Sequence, residues 1–226
     1  MTALVSMYTK QGFAIGADSL RMDTAGAVVT EEAVKIYEVN HPDFRGAYGF
    51  AGQTALHFAD SPVVDVLKLA QGINTELLSQ QFSSAQEYAD AFCSKLASKI
   101  QVAIDGIDVG DFGLLGLFSG YSGGIAVSLQ MKFPAVGGYL LRPELAELRK
   151  EPIDRYCIAS GSQVVWDEVM NERVYGPATL NEAIEHVSEY VARCIKNRTD
   201  PYCRNIGGKV QIATVSNDGF SWVARP

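Results

Sequence analysis

The stretch Thr2–Ser19, TALVSMYTKQGFAIGADS, holds two short apolar runs, Leu4–Tyr8 and Phe13–Ala17, separated by the turn-forming TKQG. Each run has the length and composition of a strand, so the segment reads as a hairpin. Thr2, a small hydroxyl residue, stands directly after Met1. Asp18 stands where the second apolar run ends. A frayed chain start and an ordinary turn residue are the plain readings of these two positions. The other reading is that Thr2 becomes the first residue and that Asp18 reaches it.

Working outward, AVVT, VKIYEV and GAYGFAG repeat the short apolar pattern. The region Thr54–Ala70 turns helical, with Ser61-Pro62 as a fresh helix start, because proline suits the first helical position. The next helix opens on an S-x-x-E capping box, Ser84 and Glu87. Tyr88, Phe92, Leu96 and Ile100 then fall on one face. FGLLGLFSGY and GGIAVSLQM read as a hairpin turned at Gly123-Gly124. A second helical pair follows, VVWDEVMNERV and LNEAIEHVSEYVARCIK, the latter capped by Thr179 and Glu182. KVQIATV and GFSWVA close the chain as strands joined at Asn217-Asp218-Gly219. Strand runs alternating with helix pairs argue for packed layers and antiparallel sheets. The expectation is an α+β fold, a four-layer α-β-β-α sandwich with two antiparallel sheets, in a single domain spanning 1–226.

The chain has 226 residues, 47% hydrophobic and 20% charged, the balance of a globular domain. Its net charge of −7 argues against a nucleic-acid partner. No apolar run approaches a membrane span, and no basic region followed by an apolar core marks a leader, so the expectation is a cytoplasmic chain without a membrane partner. Cys93, Cys157, Cys194 and Cys203 form no C-x-x-C pair, and His41, His57 and His186 are scattered. No metal and no cofactor is expected.

A hydroxyl nucleophile needs a base, and a threonine at a chain start carries one in its own α-amine, with a pKa near 8. A cation must hold that amine partly deprotonated and stabilise the alkoxide. A carboxylate must hold the cation, and a backbone N–H must receive the oxyanion. Asp18, Lys35 in the strand-like AVKIYEV, and Gly52 at the end of GFAG supply these in order.

These residues carry a resemblance. The chain resembles a proteasome β-type subunit, as in the bacterial proteasome homologues, of the N-terminal-nucleophile (Ntn) hydrolase superfamily. Counted from Thr2, Asp18 is the seventeenth residue, the family spacing. AIGADS resembles the family's strand end, and AVKIYEV resembles the segment with the catalytic lysine, displaced by one residue. GFAG resembles the G-x-x-A-G turn whose glycine gives the oxyanion N–H. IASGSQ resembles the GSGS before the third family helix, which makes Ser160 the match for the serine beside the nucleophile. Departures lie near the C-terminus. DPYCRNIGGKV stands where the family has D-x-x-S-G-G, with Ile206 at the serine position and Cys203 at the aspartate position. Asp200 reaches that aspartate's place only through a bulged loop. The family arginine after Asp-Ser is Leu20 here, with Arg21 next.

The resemblance implies a threonine-type peptidase with Thr2, Asp18, Lys35, Gly52, Ser160 and Asp200 at its catalytic centre, active once Met1 is removed. By the same alignment Arg21, Ala33, Phe50 and Thr54 surround the substrate side-chain pocket. Phe50 forms its floor and Arg21 a positive rim, so small, medium apolar or acidic residues are expected before the cleaved bond. The implied partners are a peptide or unfolded protein, further copies of the chain in a ring or related homo-oligomer, and room for an ATPase regulator. Two rival readings stand beside this: a non-catalytic assembly subunit, and an Ntn amidase acting on a small amide.

Overall fold

The computed structural model describes residues 2–23, 25–57, 64–105, 113–136, 139–140, 142–147, 156–171 and 177–226. Met1, the Ser61-Pro62 helix start, Phe112 and the end of VVWDEVMNERV lie outside the described residues.

The opening hairpin forms from β1 (Leu4–Thr9) and β2 (Gly12–Asp18), antiparallel with Leu4 opposite Ala17. Every residue of both strands except the turn is buried, because each face of this hairpin packs against another layer. β2 pairs on its other side with β14 (Val210–Ser216), which pairs with β15 (Gly219–Ala224). β13 (Tyr156–Ser160) completes this five-stranded sheet beyond β1, giving the order β13-β1-β2-β14-β15. The second large sheet runs β11-β10-β9-β6-β5. Its members are β5 (Ile36–His41), β6 (Phe44–Gly52), β9 (Gly113–Ser122), β10 (Ile125–Val136) and β11 (Tyr139–Leu140). β12 (Glu144–Glu147) pairs with β10 as its sixth strand. Two small ribbons lie beside them: β3 (Arg21–Met22) with β4 (Val28–Thr30), and β7 (Ala55–Leu56) with β8 (Val64–Asp65). All these ladders are antiparallel.

The helices come as two pairs. α1 (Val66–Leu77) and α2 (Ala85–Ile104) pack on the six-stranded sheet. Tyr88, Phe92, Leu96 and Ile100 of α2 share one apolar core with α1 and with Phe50, Phe118 and Phe133 of that sheet. α3 (Gln163–Asn171) and α4 (Leu180–Lys196) cover the five-stranded sheet. A third core, with Leu4, Phe13 and Ile15 facing Ile36, Ala47 and Leu117, joins the two sheets. α4 approaches β2 so closely that a Cβ on Gly16 would lie 2.2 Å from Val187 Cγ1. This explains a glycine in the middle of a buried strand.

Several expectations change in detail. The Gly123-Gly124 turn forms with φ of +56° and +78°, which glycine adopts without cost. The Thr179–Glu182 capping box is complete. At Ser84 it is half formed: the Ser84 hydroxyl accepts from Glu87 N–H, but the Glu87 carboxylate passes Ser84 and takes the amide and hydroxyl of Ser83. The first helix begins later than the sequence suggests. Its cap is Asp65, whose carboxylate accepts from Lys68 N–H, and Ala55–Leu56 is strand, not helix. Lys35 lies just before β5 and not within it, because its N–H bonds to the Gln211 side chain at 3.0 Å instead of joining the ladder.

Candidate active site

The hairpin brings both its ends together. Asp18 N–H donates to Ala3 O at 3.2 Å, and Ala3 N–H donates back to Asp18 Oδ1 at 3.1 Å. Thr2 is thereby held against the end of β2. The segment before β5 crosses beneath it and delivers Lys35, whose Nζ donates to Asp18 Oδ1 at 3.0 Å and to Thr2 Oγ1 at 3.2 Å. Lys35 is 1% exposed, Asp18 fully buried and Thr2 4% exposed.

A buried ion pair persists only when its remaining polar atoms are satisfied. Asp18 Oδ2 accepts from the amides of Leu20 at 3.2 Å and Gly207 at 3.1 Å. Burial pushes the Asp18 carboxyl above its ordinary value, opposed by the Lys35 charge and by the Gly207 and Ala3 amides. Burial likewise pulls the Lys35 ammonium below its ordinary value, opposed by Asp18. A lysine whose proton is held less tightly than usual, touching a hydroxyl, is suited to exchanging charge with that hydroxyl.

Thr2 and Gly52 line two cavities in common. The larger, about 460 Å³, also takes in Ser160, Gly161 and Phe133. The smaller, about 170 Å³, is walled by Arg21, Asp23, Gln53 and Thr54. Gly52 has φ +99°, and a Cβ there would stand 2.3 Å from Gly113 O. The position therefore requires glycine.

Of the other sequence candidates, Ser160 ends β13 opposite Leu4 and faces the larger cavity. Asp200 meets Ser162: its carboxylate accepts from that hydroxyl, which in turn accepts from Val165 N–H at 3.1 Å at the start of α3. Asp200 thus braces the turn behind Ser160 and Gly161. Ile206, the departure from the serine of the resembled family, is buried and apolar, and the segment serves Asp18 through the Gly207 backbone. Arg21 and Thr54 line the smaller cavity. Ala33, expected at the substrate pocket, is not among the described lining residues of either cavity; its carbonyl accepts from Gln211 Nε2 at 2.8 Å. Phe50 does not form the pocket floor. It is fully buried in the core under α2, with its ring 6.2 Å from those of Phe92 and Phe133. Alternation along β6 puts Tyr48 and Phe50 together on the face under α2, while Ala47 and Ala51 face the five-stranded sheet.

Two residues escaped the sequence reading. Gln211, fully buried on β14, donates to Asp18 O and Ala33 O and accepts from Lys35 N–H, tying together the two segments that meet at Thr2. A lone glutamine inside KVQIATV was the available signal. Ser162 was visible as the residue preceding α3.

No family model and no curated protein sequence matches the chain. Solved structures do match. The Anbu Gly-1 mutant from Hyphomicrobium sp. strain MC1 aligns with TM-score 0.66 at 12% identity, over 99% of this chain and 86% of that one. Anbu from Yersinia bercovieri, described as an ancestral beta-subunit, aligns with TM-score 0.63 at 12% identity, over 98% and 87%. A second crystal form of the Hyphomicrobium protein aligns with TM-score 0.63 at 11% identity, over 98% and 84%. The likeness extends over nearly the whole length of this chain and shows a shared fold.

Proposed function

We propose that the chain is a threonine-type peptidase of the Ntn-hydrolase superfamily, related to proteasome β-type subunits, with Thr2 as nucleophile once Met1 is removed. The observation that carries this reading is the buried chain of contacts from Thr2 Oγ1 to Lys35 Nζ to Asp18 Oδ1. A structural lysine has no need to be 1% exposed against a threonine hydroxyl.

In the proposed reaction the freed Thr2 amine takes the Oγ1 proton, directly or through a water, as Oγ1 attacks the peptide carbonyl. Lys35 lowers the pKa of that amine through its charge, and Asp18 holds Lys35 in place. The Gly52 N–H receives the oxyanion. The C–N bond then breaks, the amine returns its proton to the leaving nitrogen, and water hydrolyses the acyl-Thr2 ester. No step calls on a metal or cofactor.

Beyond the chemistry, the proposal takes 1–226 as one domain in the four-layer α-β-β-α arrangement, working in the cytoplasm on peptide or unfolded protein. Confinement within a homo-oligomer protects other proteins from an accessible nucleophile. An ATPase regulator would feed such an assembly.

Thr2→Ala tests the reading. It should abolish peptide hydrolysis while leaving the circular dichroism spectrum unchanged. A β-lactone should add to Thr2 of Met1-free wild type, seen by intact mass, and not to the variant. Undiminished turnover by Thr2→Ala, in a preparation free of host protease, would rule out Thr2 as the nucleophile, whereas no turnover and no β-lactone adduct in Met1-free wild type would leave the non-catalytic assembly role as the better account.

A further inference from the structure

We infer that the smaller cavity beside Thr2 selects a cationic side chain, lysine or arginine, immediately before the cleaved bond, and that Asp23 makes the selection. This rests on the peptidase reading of Thr2 and reverses the acidic or apolar preference expected from the sequence.

The reversal comes from following each charge on the cavity wall to its partner. Arg21 was expected as a positive rim. Its Nη1 donates to Asp65 Oδ2 at 2.8 Å, its Nη2 lies 2.8 Å from Asp65 Oδ1, and Nη2 donates to Thr54 O at 2.7 Å. This two-point pair cancels the guanidinium charge and fixes it at 8% exposure. Asp65 does not loosen its hold near neutrality. Burial raises its carboxyl, but the Arg21 hydrogen bond, the Lys68 amide and the Arg21 charge outweigh this and leave it below the ordinary value.

Among the described residues of the wall, the other charged one is Asp23. Its side chain is 9% exposed. Oδ1 accepts from Ala27 N–H at 2.9 Å, and Oδ2 lies 3.4 Å from His57 Nδ1. The Ala27 amide, with help from His57 and the Ala25 amide, holds the carboxyl below its ordinary value against the cost of burial. Both contacts leave lone pairs on the carboxylate, since each oxygen can accept more than one hydrogen bond.

The rest of the lining suits a long cationic side chain. Leu20 and Met22 offer apolar surface for an aliphatic stem. Two wall residues carry a buried atom without a hydrogen-bond partner, the Gln53 Oε1 acceptor and the Arg21 Nε donor, so these two do not decide the sign. With the Arg21 charge already paired by Asp65, the Asp23 carboxylate is the charge left on the described wall, which favours an ammonium or guanidinium and disfavours an acidic side chain. The larger cavity, on the Ser160 side, is then left for the departing part of the substrate.

The test uses full-length, Met1-free protein at pH 8 and peptidyl-coumarin substrates with Arg, Lys, Leu or Glu before the cleaved bond. The expected result is a higher kcat/KM for Arg and Lys than for Leu, with Glu lowest. Asp23→Asn, which keeps an acceptor for Ala27, should lower the Arg-to-Leu ratio by about 10- to 100-fold, the range for a charged hydrogen bond. Preference for Leu or Glu, or an Arg-to-Leu ratio unmoved in Asp23→Asn, would overturn the inference while hydrolysis itself upheld the peptidase. If no peptide is cleaved and no β-lactone adds to Thr2, the peptidase reading fails and takes the substrate assignment with it. Binding of n-butylguanidinium and of butyrate to wild type, followed by calorimetry, gives a readout independent of turnover and of whether the variant folds. Butylguanidinium should bind and compete with the Arg substrate. Equal or stronger binding of butyrate would overturn the charge assignment.

Discussion

Asp18 must act as an acceptor on both oxygens. Oδ1 faces Ala3 N–H and Lys35 Nζ, and Oδ2 faces the Leu20 and Gly207 amides. Lys35 is the one donor among these that can be removed without touching the backbone. Lys35→Met leaves a buried carboxylate without its counter-charge and should cost about 3–5 kcal/mol near neutral pH. Its pH dependence has a defined sign. A carboxyl raised in the folded state binds its proton more tightly there than in the unfolded chain. The stability this contributes is complete below the ordinary value of 3.8 and is lost as pH rises through the folded value. Without Lys35 that folded value climbs further. The deficit of Lys35→Met relative to wild type should therefore be smaller at pH 4 than at pH 7.5 in urea titrations. A deficit independent of pH would mean that Asp18 is not left charged and unpaired. The Thr2–Asp18 spacing and the resemblance of AVKIYEV singled out these three residues in the sequence, and the structure brings them into contact. Phe50 shows the opposite case: the alignment put its ring at the pocket floor, whereas the face of β6 that it shares with Tyr48 lies under α2.

Elements here are positioned by close approach as much as by propensity. α4 carries a strong apolar stripe, and Ala183, Val187, Tyr190 and Val191 are buried from it against the sheet. Tyr190 reaches past the core, and its hydroxyl donates to Ser160 O at 3.3 Å and Ser162 O at 3.5 Å, so the same helix holds the turn that faces the larger cavity. A methyl on Gly16 would push directly into Val187. Gly16→Ala should destabilise by about 1–3 kcal/mol, as overpacking of a close-packed core does. Adding Val187→Ala should recover part of that loss, because the clashing atoms are gone. Strictly additive losses in the double variant would show that α4 does not rest on Gly16 in this way. Sequence periodicity revealed α2 and α4 and their caps. It missed short ribbons such as β7–β8, whose two-residue strands are too brief to show a period. Ala55–Leu56 accordingly looked like the start of a helix.

At the scale of the molecule, the helix pairs leave apolar side chains outward: Val102 on α2 is 76% exposed and Val164 on α3 is 57% exposed. Single exposed valines are ordinary, but the proposed homo-oligomer makes these helix faces its contacts. Sedimentation should then show wild type well above the 24.5 kDa chain mass, and Val102→Glu with Val164→Glu should shift it toward the monomer. A wild type that sediments only as monomer at micromolar concentration would remove the assembly from the proposal. The sequence by itself determined the opening hairpin and the alternation of strand runs with helix pairs, and its resemblance singled out Thr2, Asp18, Lys35 and Gly52 as candidates. The hairpin and the alternation are local features, written in periodicity and turn residues. Only the tertiary structure decided where charges are cancelled. Arg21 meets Asp65 from the cap of α1, Gln211 arrives from β14 to join Asp18 to Lys35, and Asp200 finds Ser162. Pairings between residues 38 to 193 positions apart leave no trace in local pattern, because they exist only once the chain has packed.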